Sequence, residues 1–252
     1  MNKDNIDAVL VVTGGSRGIG AEVCRLGAAR GYRVVMNYCA SQGSAHTLAE
    51  EIEQSGGIAV AVQGDVSEEQ DVIRLFESAA SIGEVTALVN NAGILEQQMD
   101  LVDMSPERID RVFAVNVRGS FLCAREAIRQ MARSRGGNGG AIVNVSSAAA
   151  RIGSPHEYID YAASKGAIDT MTLGLSKEVA AEGIRVNAVR PGIIETEIHA
   201  RGGEAGRIER VAPMVPLQRA GKVEEVANAI LWLLSDEAGY LTGALVDVSG
   251  GR

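Results

Sequence analysis

The most constraining stretch runs from Ala8 to Arg30. Ala8–Val12 (A-V-L-V-V) is an unbroken apolar run, as expected of a parallel strand buried on both faces. It enters T13-G14-G15-S16-R17-G18-I19-G20, and a helical pattern follows to Arg30. Glycines 14, 18 and 20 let backbone N–H groups approach an anion at the helix N-terminus, where the dipole favours negative charge. The spacing is G-x-x-x-G-x-G rather than G-x-G-x-x-G. No Gly-Lys-Ser/Thr follows, which excludes a Walker loop. The turn therefore predicts a pyrophosphate cradle, with Gly14, Ser16, Arg17, Gly18, Ile19 and Gly20 as its candidate residues.

The alternation continues along the chain. Strands are predicted at Arg33–Asn37, Ile58–Gln63, Ala87–Asn90, Ala141–Val145, Ile184–Val189 and Ala244–Val248. Helical patterns cover 44–54, 68–81 and 223–234. One helix opens with Ser105 as N-cap and Pro106 at its first position, carries Asn116 and is predicted to reach about Arg135. Another bears Tyr161 and Lys165 and is predicted to reach about Glu182. The segment 193–216 has little period, and a loop of that length in a compact domain is usually functional. Alternation without a composition break predicts an α/β fold: one doubly wound parallel sheet, residues 1–252 as a single domain, helices on both faces. Ligands in such sheets bind at the carboxyl ends of the strands, the edge shared by Gly14, Asp65, Asn91, Ser147 and Gly192.

Net charge of −8 argues against nucleic acid as a partner. No apolar run approaches the ~18 residues that suggest a membrane span. Residues Met1 to Asp7 are polar and acidic, unlike a signal peptide. Cys24, Cys39 and Cys123 have neither metal nor redox spacing. Reduced thiols, a cytoplasmic setting and no metal are expected.

Chemistry concentrates between Ser147 and Lys165. Tyr161 and Lys165 are four residues apart and lie on one helix face. An ammonium beside a phenol favours the phenolate and is expected to lower the phenol pKa from ~10 toward neutrality. Such a phenol exchanges protons near pH 7. Ser147, at the end of the preceding strand, could hydrogen-bond the same reacting oxygen. Tyr158 has Ala162 four residues on and lacks this partner. His156 and His199 are expected to border the pocket as loop residues.

The second strand ends in N37-Y38-C39-A40-S41, without the carboxylate that holds a ribose 2′-hydroxyl in NAD-binding folds. That absence removes a repulsion against a 2′-phosphate, which Arg17 could pair. Both features favour NADP, and Asp introduced at Tyr38 is expected to repel the phosphate.

Taken together, T-G-G-S-R-G-I-G, N90-N-A-G93, Asn116, the Ser147/Tyr161/Lys165 set and P191-G-I-I-E-T196 occur in the order seen in the short-chain dehydrogenase/reductase family. The chain resembles that family from Thr13 to Gly251, and particularly its β-ketoacyl carrier-protein reductase and glucose dehydrogenase branches. The resemblance implies an NADP(H)-dependent oxidoreductase interconverting a carbonyl and a secondary alcohol. It implies Tyr161 as general acid/base, Lys165 tuning it and holding the nicotinamide ribose, and Ser147 holding the substrate oxygen. It implies that Asn116 helps hold a relay water. Asp65 with Val66 would meet adenine, Asn91, Ala92 and Gly93 the adenine-side ribose, and Pro191, Gly192, Ile194 and Thr196 the carboxamide and phosphates. The serine-to-tyrosine spacing is one residue longer than usual in the family, so Ser146 competes with Ser147, and Ser147 is preferred.

Two other readings are open. One is a β-ketoacyl carrier-protein reductase docking its carrier on Arg129, Arg133 and Arg135. The other is a non-enzymatic NADP-binding regulator. A small-molecule substrate and a homotetramer are expected, the latter from small residues along the Tyr161 helix and an apolar edge strand at 244–248.

Overall fold

Ala8–Val12 forms β1, and its residues alternate between two cores. Leu10 and Val12 pack on one sheet face and Val9 and Val11 on the other, as the period of two demands. The computed structural model describes residues 7–196, 202–204 and 206–252. The other strands are β2 (Arg33–Tyr38), β3 (Ile58–Gln63), β4 (Glu84–Asn90), β5 (Gly140–Val145), β6 (Ile184–Pro191) and β7 (Leu245–Val248). They make one seven-stranded sheet in the order β3-β2-β1-β4-β5-β6-β7, every pairing parallel. The order reverses between β1 and β4, which opens a crevice beyond their carboxyl ends.

Helices cover both faces. On one lie α1 (Gly18–Ala29), α2 (Gln42–Gln54) and the late helix Val223–Leu234, called α9 below. On the other lie α3 (Glu69–Ile82), α5 (Gly119–Met131) and α7 (Ile159–Glu178). The short helices α4 (Pro106–Phe113), α6 (Ala149–Ile152) and α8 (Arg207–Val211) lie toward the crevice. Ile193, Val211 and Ala220 form a small separate apolar cluster under α8.

Three boundaries differ from the periodicity. β4 begins at Glu84, because the β1 pairing jumps from Val85 to Ala87 and leaves Thr86 as a bulge that breaks the alternation. The helix opened by Ser105, whose Oγ accepts from Arg108 N at 3.3 Å, does not run unbroken to Arg135. A π-helical turn at Ala114–Arg118 interrupts it and carries Asn116, a device that often marks functional sites. The Tyr161 helix ends at Glu178 and passes through a 3₁₀ turn to Gly183, whose φ of 76° only glycine adopts cheaply.

Candidate active site

The glycine turn is built by backbone contact. Gly14 and Gly18 have φ of 60° and 54°. A Cβ on Gly20 would stand 2.5 Å from both the Gly14 carbonyl oxygen and Asn91 Nδ2. Asn91 explains this crowding. Its Nδ2 donates to the carbonyls of Thr13 and Gly14, both at 2.9 Å, while Thr13 Oγ1 accepts from the N–H groups of Asn91 and Ala92, both at 3.0 Å. The Asn91 Nδ2 group thus fastens β1's turn to β4's end. No side chain caps α1, so its first N–H groups are left for a ligand.

At the end of β2, Asn37 is buried and donates to the Gly64 carbonyl at 2.8 Å. Arg17 Nη1 donates to Ser41 Oγ at 3.1 Å. Tyr38 is buried edge-on against His46, so an aspartate there would bury a charge; exposed Cys39 is the better place for one. Asp65 Oδ1 accepts from Ser67 N and Oγ at 2.9 and 2.8 Å.

Ser147, Tyr161 and Lys165 converge between β5 and α7. The Ser147 hydroxyl neighbours the Tyr161 phenol and favours its ionised form. Ser146 turns away, its buried hydroxyl donating to the Lys165 carbonyl at 3.2 Å. Lys165 Nζ donates to the Val145 carbonyl at 2.7 Å and lies 5.6 Å from the Tyr161 ring centre. Asn116 is wholly buried. Its Oδ1 accepts from Ile94 N at 2.8 Å, and its Nδ2 donates to Ile94 O and Ser164 Oγ at 3.1 and 3.0 Å. Its side chain therefore holds the chain after Gly93 against α7. Asp160 packs beside Tyr161 with Arg108 in a buried two-pronged ion pair, at 2.8 and 3.2 Å. Arg108 also donates to the Gln97 carbonyl at 2.6 Å.

The electrostatics correct one expectation. Burial pushes the Tyr161 phenol up, and the Ser147 hydroxyl only partly opposes it. The Lys165 ammonium is drawn to the Val145 carbonyl. Burial brings Lys165 itself down to about 8, with Asp169 opposing. The Tyr161 phenol thus keeps its proton at neutral pH, and Lys165 loses its charge at about pH 8.

A cavity of about 820 Å³ joins these groups. Gly14, Ser16, Arg17, Gly18, Ile19, Tyr38, Asp65, Val66, Asn91, Ala92, Gly93, Ser147, Tyr161, Lys165, Pro191, Gly192, Ile194 and Thr196 all line it. Gly20 and Asn116 stand behind its wall. His156 is exposed, off the cavity and paired with Asp100 at 2.8 Å; His199 lies outside the described residues.

A family model described as "Enoyl-(Acyl carrier protein) reductase" matches residues 14–252. A protein named "Short-chain type dehydrogenase/reductase" from Picea abies is 36% identical, over 97% of this chain and 92% of its own. The chain belongs to the short-chain dehydrogenase/reductase family. Among its relatives is an "Uncharacterized oxidoreductase YgfF" of Escherichia coli (strain K12), 55% identical over 97% of this chain and 100% of that protein. A solved relative, "blue fluorescent protein from metagenomic library in complex with NADPH", superposes with a TM-score of 0.89 at 33% identity, covering 98% of this chain and 99% of that one.

Short-chain dehydrogenase/reductases bind a nicotinamide cofactor, and this site fits one. The uncapped α1 terminus and the φ-positive glycines suit a pyrophosphate, and Gly93, whose Cβ would lie 3.5 Å from Lys165 Nζ, leaves room beside the lysine. The sequence reading missed Arg207 and Arg252 on the cavity wall, quoted Ser41 only as part of the β2 end, and set Tyr158 aside. Tyr158 does not act as a second acid: its hydroxyl donates to the Gly202 carbonyl at 3.1 Å and its ring lies under Arg207. Neither arginine sits in a local motif, so only tertiary structure reveals them.

Proposed function

We propose that this chain is an NADP(H)-dependent oxidoreductase that interconverts a carbonyl compound and its secondary alcohol within one domain. The carrying observation is the convergence of Ser147, Tyr161 and Lys165 on a cavity that continues to the glycine turn. The bound cofactor supplies the hydride chemistry. Ser147 orients the substrate oxygen. Tyr161, kept protonated by burial, gives that oxygen its proton during reduction and takes it back during oxidation. Lys165, while charged, favours the transient phenolate and holds the nicotinamide ribose. Asn116 acts by fixing the loop at Ile94. Arg17 and Ser41, with no carboxylate at the end of β2, favour NADP over NAD.

A carrier-protein substrate is less well supported by the basic cluster. Arg129 is paired with Glu126 at 2.7 Å. Arg133 lies on Gly183, which leads into the amino end of β6, the edge opposite the cavity. A homotetramer remains the proposed assembly. Phe121 on α5 and Leu173 on α7 are 51% and 42% exposed, and Gly166 and Gly174 leave open space beside α7. β7 forms a sheet edge. These are surfaces that closed two-fold contacts would cover. Among the described residues no helix is long and apolar enough to cross a membrane.

The test is NADPH oxidation followed by its absorbance over ketones, acetoacetyl thioesters and sugars. At least one carbonyl class should be reduced, with NADPH preferred to NADH. Absence of hydride transfer to every class would overturn the proposal.

A further inference from the structure

Most charged groups at the substrate end of the cavity are paired. Arg207 is buried and donates to Glu157 Oε2 at 2.6 Å and Glu204 Oε2 at 3.2 Å. Arg210 binds the same two carboxylates. Glu96, on the cavity wall, is held by Arg111 at 2.8 Å.

Arg252 lines the same cavity and is different. Its backbone is pinned: its N–H donates to Ser249 O at 3.4 Å, and its carbonyl accepts from Ser249 Oγ at 3.0 Å and Arg151 Nη2 at 3.3 Å. Arg151 is anchored in turn on Asp247 at 2.6 Å. The Arg252 guanidinium is half-buried and pairs with no carboxylate among the described residues. Arg207 and Arg210 repel it, and only Glu157 attracts it. Arg207 and Arg210 thus occupy Glu157 and Glu204, and Arg252 is left without a carboxylate of its own among the described residues. Partly buried charge is ordinarily paired, and an arginine fork matches a carboxylate in two-pronged fashion. The cavity wall also carries apolar Ala149, Ile152 and Ile193.

We propose that Arg252 receives a carboxylate on the substrate, so that the enzyme acts on aliphatic oxo acids and the matching hydroxy acids. The carbonyl end meets Ser147 and Tyr161, and the aliphatic segment lies along the apolar wall. This inference rests on the oxidoreductase reading above.

The test pairs 3-oxohexanoate with its ethyl ester, using NADPH and the full chain. The acid should exceed the ester in kcat/KM by about tenfold or more, the scale of a charge-assisted hydrogen bond. Arg252→Gln should reduce the acid-to-ester ratio by about tenfold, and Arg252→Lys should recover part of it. An ester as good as the acid, or a ratio that Arg252→Gln leaves unmoved, overturns the proposal. Ester reduction that disappears in Tyr161→Phe would show that the oxidoreductase reading survives that failure. A measurement without turnover stands beside it: hexanoate and hexanamide titrated calorimetrically into enzyme saturated with NADP⁺. Tighter binding of hexanoate, lost in Arg252→Gln, supports the site. Hexanoate binding no tighter than hexanamide, or equal in the variant, overturns it.

Discussion

The two ends of the cavity are built by different physics. The glycine-turn end is backbone against backbone: Gly20 against Gly14, with the Asn91 amide and the Thr13 hydroxyl as fasteners. The substrate end is held by long charged side chains: Arg108 on Asp160, and Arg207 and Arg210 on Glu157 and Glu204. A backbone cradle admits no substitution but binds an invariant group, a pyrophosphate. Charged clamps can be exchanged pair by pair, which suits a substrate that differs among enzymes of one fold.

The sharpest way to break this contrast is Gly20→Ala. The methyl has no room beside a carbonyl oxygen, so the turn must open. NADPH affinity should fall by about a hundredfold, the loss of two hydrogen bonds to a charged group. Calorimetric titration decides it, and an unchanged Kd would show that the cradle can yield.

Arg108→Met is the counterpart at the other end. It leaves Asp160 buried, 3% exposed, without its partner. Urea denaturation should show a loss of about 3–5 kcal/mol, while Arg108→Met with Asp160→Leu should recover much of it, as buried pairs replaced by apolar groups do. An Arg108→Met variant as stable as the unmodified chain would mean that the pair holds nothing.

Arg17→Ala should weaken NADPH about tenfold, the worth of one charge-assisted contact, and NADH much less. Equal losses for both cofactors would remove the 2′-phosphate from Arg17's corner.

The smallest effect is in the pH profile. Lys165 is brought down to about 8 from 10.5, so it is charged below that pH and neutral above it. Ketone reduction, measured as kcat/KM, should be flat to about pH 8 and decline beyond it. The same shift means that the unfolded chain holds more protons than the folded one between about 8 and 10.5, so this group makes stability rise with pH there. A flat activity profile to pH 10 would detach Lys165 from the reaction.

What the sequence made legible follows the same division. The β1–turn–α1 unit and the Tyr161/Lys165 pair are local, with periods and glycine spacings that leave few conformations. The roles of Asn91 and Asn116 were legible only as motif positions, because their hydrogen bonds cross from β4 to the first turn and from the π-turn to Ile94. The π-turn has no signature in hydrophobic spacing. The clamp residues were invisible: Arg207 finds Glu157 fifty residues away, and Arg252 reaches the cavity through its contacts with Arg151 and Ser249. Burial, which reversed the expected direction at Tyr161, is likewise a tertiary quantity.

The claim on which both ends depend is that Tyr161 delivers the proton. Single-turnover reduction by Tyr161→Phe, with NADPH affinity measured on the same sample, tests it most directly. The phenol oxygen alone is removed, so hydride transfer should slow by ~10²–10⁴-fold while NADPH Kd stays within about threefold. Hydride transfer at more than about a tenth of the unmodified rate, with the cofactor still bound, would contradict the assignment.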